Sequence, residues 1–116
     1  MPGFRDTKQR AETCRALCAL AGRYDLWSST GPTEKAAGEL VASPLLEEDL
    51  ALVRAAWSVW NGLGDLHLAE LLRVLRPSDL RALAELLTAL AVSPLQVDAW
   101  LASYAPPQIP RLRPVR

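Results

Sequence analysis

Apolar residues along this chain recur at helical spacing, with no sustained two-residue alternation. Over residues 6–24, Ala11, Cys14, Leu17, Cys18, Ala21 and Tyr24 fall on one stripe. Lys8, Glu12, Arg15 and Arg23 fall opposite, which is the 3.6-residue period of a surface helix. Gly22 and the run Ser28-Ser-Thr-Gly-Pro32 mark its end. A short second helix is predicted over 32–41, weakened by about 1 kcal/mol at Gly38. The third carries the clearest punctuation: Ser43 as N-cap, Pro44 at the first helical position, and Glu47, Glu48 and Asp49 near the positive end of the helix dipole. Asn61-Gly62 closes it. Between these signals Leu46, Leu50, Val53, Trp57 and Trp60 alternate at spacings of four and three, so this seam is predicted to lie centrally against other helices.

Asp65 is read as the cap of a fourth helix running to Leu75, because Pro77 disfavours helical geometry at Arg76. Ser78 is read as the cap of a fifth over 79–91, with Leu80, Leu83, Leu87 and Leu90 on one face. Ser93, Pro94 and Gln96 form a capping-box pattern for a sixth, closing near Tyr104. The last eleven residues hold four prolines and three arginines and cannot be helical. The pattern therefore predicts an all-α fold, a compact bundle of five or six short helices over 1–105, followed by an extended Pro/Arg-rich tail over 106–116. Leu68-Ala-Glu-Leu-Leu72 recurs as Leu83-Ala-Glu-Leu-Leu87, but no third copy appears and no solenoid is read from it.

Composition supports the helical reading. Of 116 residues 22 are Leu and 18 are Ala, against seven Val, one Ile and one Phe, so the residues that favour strands are nearly missing. Thirteen Lys and Arg balance thirteen Asp and Glu, which argues against a globally basic nucleic-acid binder. The zero is a sum of segregated blocks: +3 over residues 1–23, −5 over 24–53, +1 over 54–81, −2 over 82–105 and +3 in the tail. The first ten residues are polar and resemble no signal peptide, and no apolar run approaches the roughly 20 residues of a membrane span. The expected compartment is the cytoplasm, with no membrane partner.

Enzyme signatures are missing: one histidine, His67, no Gly-rich phosphate loop, no HExxH and no CxxC. The chain is read as non-enzymatic and without a cofactor. Cys14 and Cys18, one turn apart, are the only thiolate pair available to a soft metal, but they sit in the apolar stripe, where free cysteine acts as a small hydrophobe. The leading expectation is a helical protein-interaction module, an adaptor or a self-associating domain, whose partner is another protein or a second copy of itself. Its candidate contact residues are Trp27, Trp57, Trp60 and Trp100, with Arg111 and Arg113 in the tail.

The stretch Ala91-Val-Ser-Pro-Leu-Gln-Val-Asp-Ala-Trp-Leu-Ala-Ser103 resembles the turn and second helix of repressor-type helix-turn-helix domains. The resemblance places Val92 and Ser93 in the turn and makes Val97 and Trp100 buried residues of a recognition helix. It implies an alternative function, a DNA-binding regulator using helices 79–91 and 94–104. Gln96 and Ser103 would then face the nucleic acid, while Arg5, Arg10 and Arg15 supply phosphate contacts. The sequence departs from that pattern at Ala91 and Leu87, where the family carries a glycine and a small residue. No Lys or Arg occurs from Ala82 through Pro110, and the would-be reading helix carries Asp98. Affinity for nucleic acid rests mainly on phosphate neutralisation, so this alternative is disfavoured.

Overall fold

A computed structural model of the protein describes residues 3–36, 46–63 and 66–105. The fold is mostly helical: α1 (Thr7–Leu20), α2 (Glu47–Trp60), α3 (Leu68–Val74), α4 (Pro77–Val92) and α5 (Pro94–Tyr104). A small antiparallel pair, β1 (Trp27–Ser28) and β2 (Gly31–Pro32), lies between α1 and α2, with Trp27 opposite Pro32 and Ser28 opposite Gly31. This pair corrects the purely helical expectation, and it takes up the residues at which the 32–41 helix was to begin. Residues 34–36 are helical, and the rest of that segment lies outside the described residues, as does the 106–116 tail.

Helix α1 starts where the side chain of Asp6 accepts the backbone N–H of Gln9 at 2.8 Å. It stops four residues before Tyr24, which is exposed instead of lying on the helix face. The cause is Gly22, whose φ of 77° lets the backbone N–H of Arg23 reach back to the carbonyl of Cys18 and that of Gly22 to Ala19. These two bonds satisfy carbonyls that the helix end leaves free.

The centre of the molecule is the contact of α1 with α2, and α1 also touches both strands and α5. Its buried face is built from Ala11, Cys14, Ala16, Leu17 and Cys18. On α2, Ala51, Leu52, Val53, Ala55, Ala56 and Val59 are buried, and Ala56 lies against α1, its carbonyl accepting the Cys14 thiol. Alanines on both surfaces allow the backbones to approach, and the heptad-like seam predicted for α2 is therefore rotated. Only Val53 of that seam is fully buried; Leu50, Trp57 and Trp60 are half-buried, and Leu46 is exposed in the N-cap position. Ser43 and Pro44 lie outside the described residues.

The remaining starts differ from the sequence reading in cap identity. His67, not Asp65, occupies the N-cap position of α3, with no side-chain cap bond, and Asp65 lies outside the described residues. Pro77 is the first residue of α4, with Arg76 ahead of it in an extended conformation, so Ser78 is inside the helix. Proline is favoured there because the first helical N–H has no intrahelical acceptor. The guanidinium of Arg76 bonds Asp49 in the first turn of α2 at 2.9 Å and Asp79 in the first turn of α4 at 3.1 Å. Two acidic helix starts are thereby pinned by one cation. Ser93 caps α5 as predicted, accepting the Gln96 N–H, but the return bond of a capping box is absent because the Ser93 N–H goes to the carbonyl of Ala89.

Candidate functional site

The tryptophans proposed as partner contacts separate into two groups. Trp27, in β1, is 2% exposed and meets Trp57 edge-on, with ring centroids 4.9 Å apart, and Trp60 likewise at 6.3 Å. One aromatic cluster thus joins the β pair to the outer side of α2. Gly31 makes the join possible, since a Cβ at that position would stand 3.3 Å from the rim of the Trp60 ring, and its φ of 149° is strained for any other residue. Neither the Trp27 nor the Trp57 Nε1 finds an acceptor among the described residues. Trp27 is accordingly a core residue that anchors the loop after α1, while Trp57 and Trp60 keep part of their surface in solvent.

Trp100 forms the second group. It is 4% exposed, donates from Nε1 to the carbonyl of Ala82 at 2.8 Å, and lies against Tyr104 with centroids 5.0 Å apart. The Tyr104 hydroxyl donates to Glu85 at 2.6 Å, a bond that raises its pKa. These contacts lock α5 onto α4. Val97 is buried beside them, so both residues that the helix-turn-helix resemblance makes core are core. The joint itself is shorter than that motif. Ser93 alone separates α4 from α5, where the motif uses about three to four residues.

Of the proposed phosphate contacts Arg5 alone reaches α5, where a carboxylate takes it up. Gln96 and Ser103 are exposed and line the cleft of about 410 Å³ between α4 and α5, in company with Glu85. Arg5 is committed to Asp98 through two bonds, the shorter 2.6 Å. Gln9 reinforces it, donating to Asp98 and to the carbonyl of Pro94, each at 2.9 Å. The Arg5 guanidinium and then the Gln9 amide hold the Asp98 carboxyl below its ordinary range. Arg10 donates to the carbonyl of Trp60 at the end of α2, Arg15 is half-buried on α1, and Arg111 and Arg113 lie outside the described residues.

Cys14 and Cys18 are free and fully buried, and the Cys14 thiol donates to the carbonyl of Ala56 at 3.2 Å. Burial raises the pKa of both; that of Cys18 is pushed up to about 12. A thiol needs its thiolate form to bind metal or attack an electrophile. Native protein at pH 8 is therefore expected to resist a thiol reagent such as Ellman's, with both thiols released on addition of denaturant; rapid labelling of the folded protein would contradict that burial. Among the described residues, no group of three or more His, Cys, Asp or Glu is placed to hold a metal ion, and no helix is long and apolar enough to cross a membrane.

Sequence reasoning passed over the exposed leucines. Leu68 and Leu72, one turn apart on α3, are 51% and 63% exposed, and Leu46, at the start of the helix on which α3 packs, is 62% exposed. Ala69 beside them is also exposed. Leu71 and Leu75 supply the buried side of the same short helix, so its leucines are divided between core and solvent. Spacing does not separate them, because 68, 71, 72 and 75 fall at i, i+3, i+4 and i+7, the pattern of a single apolar stripe. No protein-family model, no curated protein and no solved structure matches the chain. Function must be read from the surface.

Proposed function

We propose that this chain is a non-enzymatic helical interaction module that associates with a second copy of itself through the α3 face. The observation that carries the reading is the exposed pair Leu68 and Leu72 on a helix whose other leucines already serve the core. Water-exposed leucine at two successive turns favours an apolar partner surface. The same helix carries exposed Glu70 and Arg73, and neither pairs with an opposite charge among the described residues. Arg73 borders the leucine pair while Glu70 lines the cleft with α2, so the proposed contact is the apolar patch meeting its own copy across a two-fold axis. Seven residues of helix span only about 10 Å, so the contact is small and the association weak and concentration-dependent.

The DNA-binding alternative has less support. Its reading helix presents Asp98, its nearest arginine neutralises that carboxylate, and the described part of α4 and α5 has Arg81 as its only cation. Binding to duplex DNA that falls steeply with added salt is what that alternative predicts.

Sedimentation velocity over a wide concentration range tests the self-association. The wild type should sediment faster as concentration rises, and Leu72→Glu should remain monomeric throughout. Leu72 is exposed, so the substitution is expected to change stability by no more than about 0.5 kcal/mol. A wild-type protein that stays monomeric at every concentration would overturn the proposal.

A further inference from the structure

A cavity of about 510 Å³ lies between the N-terminal segment, the end of α2 and the last turns of α4, and neither Leu68 nor Leu72 of α3 lines it. Its walls are apolar, with Phe4, Val59, Leu63, Leu87 and Leu90, and Arg10 is the single charged group among the described residues that line it. The volume falls in the range of about 300–1,000 Å³ usual for small-molecule sites. Leu63 adopts φ of 72°, a conformation costly for a residue with a Cβ, and is held there by its N–H bond to the carbonyl of Ser58. The fold therefore keeps a leucine in this wall at a position where glycine would be relaxed.

Arg10 is half-buried, with its guanidinium carbon 5.9 Å from the Phe4 ring centroid and 5.7 Å from that of Trp60. It spends one bond on the carbonyl of Trp60, at 3.3 Å, and no carboxylate among the described residues pairs with it. Five N–H donors on a cation held between two aromatic rings leave capacity for an anion. The Phe4 wall is not a loose end. The Arg5 backbone N–H donates to Gln9 Oε1 at 2.7 Å and the Arg5 side chain is clamped to Asp98, which fixes the segment over the cavity.

We infer that this cavity binds a free monocarboxylate with an unbranched hydrocarbon chain, the carboxylate on Arg10 and the chain along Leu63, Leu87 and Leu90. A guanidinium with no carboxylate partner among the described residues, at the edge of an apolar hollow, selects a ligand that is anionic at one end and apolar along the rest. The site is independent of self-association through α3.

The test is calorimetric titration of the wild-type protein with octanoate, 1-octanol and octylammonium, ligands alike in chain and different in charge. Octanoate should bind at least tenfold more tightly than octanol, and octylammonium should not bind. From hexanoate to decanoate, affinity should rise about fourfold per methylene until the cavity is filled. Ala91 is exposed at the cavity mouth, and Ala91→Phe should block octanoate without disturbing the core. Arg10→Met should abolish the preference for octanoate over octanol; if that variant fails to fold, the wild-type series and Ala91→Phe decide the matter. The inference is overturned if no ligand binds, if octanoate and octanol bind equally, or if Ala91→Phe leaves octanoate affinity unchanged. Tighter binding of an apolar peptide through its C-terminal carboxylate than of any fatty acid would also overturn it.

Discussion

Trp27→Ala is expected to cost about 3–5 kcal/mol, lowering the midpoint of thermal unfolding by roughly 10–25 °C. Trp27 is the largest side chain in the fully buried set, and it is the contact through which the β pair reaches Trp57 and Trp60. Its removal leaves a cavity that the two remaining tryptophans cannot fill without giving up their own packing. Trp27→Phe should be far milder. It keeps an aromatic body in the same place and deletes an indole N–H that has no acceptor among the described residues, so part of the lost contact is offset by relief of an unpaired polar group. Urea unfolding of the two variants checks this, and a loss below about 1 kcal/mol for Trp27→Ala would contradict its place in the core.

Trp100→Ala should be of similar size, about 3–5 kcal/mol, with a different distribution of damage. The ring is buried between α5 and α4, its N–H bonds Ala82, and its face supports Tyr104. Losing it removes the bolt that holds α5, whose second turn also carries the Asp98 contact with Arg5. Trp100→Phe retains most of the apolar burial and loses only the hydrogen bond, about 0.5–1.5 kcal/mol. Hydrogen exchange should show α5 opening ahead of the rest of the molecule in Trp100→Ala. Uniform loss of protection across α1, α2 and α5 would mean that α5 is not a separable lock.

Helix existence was legible because its signals are local. Asn61-Gly62, Gly22 and the Ser93-Pro94 pair each act within one turn, and each marks a real helix end or start. The orientation of α2 was not legible in the same way. Spacing alone favoured the large residues Leu50, Trp57 and Trp60 as the buried seam, whereas the side of α2 that meets α1 is the one carrying Ala56, whose carbonyl accepts the Cys14 thiol. Which stripe wins depends on the size of residues on the other helix, and that pairing is nowhere in the local pattern. The β pair was invisible for a related reason: two residues a side carry no period, and its stability comes from Trp27 beneath it.

For the candidate surfaces the division is similar. Burial of Val97 and Trp100 is implied by the helix-turn-helix resemblance, though Trp100 is also a candidate partner contact, and burial of Cys14 and Cys18 follows from their place in the apolar stripe. The pairing of Arg5 with Asp98, 93 residues apart, ties a prospective phosphate contact to the carboxylate that argued against DNA binding, a contact that no short-range rule anticipates. Arg10 was counted as a phosphate contact on charge alone. Its setting between Phe4 and Trp60 depends on three elements meeting in space. The exposed leucines were hidden because Leu68 and Leu72 fit the same helical stripe as the buried Leu71 and Leu75.

Because the native thiols are buried and resist ionisation, one introduced surface cysteine can report contact between copies. Ala69→Cys places a thiol on the exposed face of α3, and Thr88→Cys places one on the exposed face of α4. Under mild oxidation at equal concentration, Ala69→Cys should form disulfide-linked dimers much faster than Thr88→Cys, and adding Leu72→Glu should remove the difference. Equal rates for the two single variants would contradict self-association through α3.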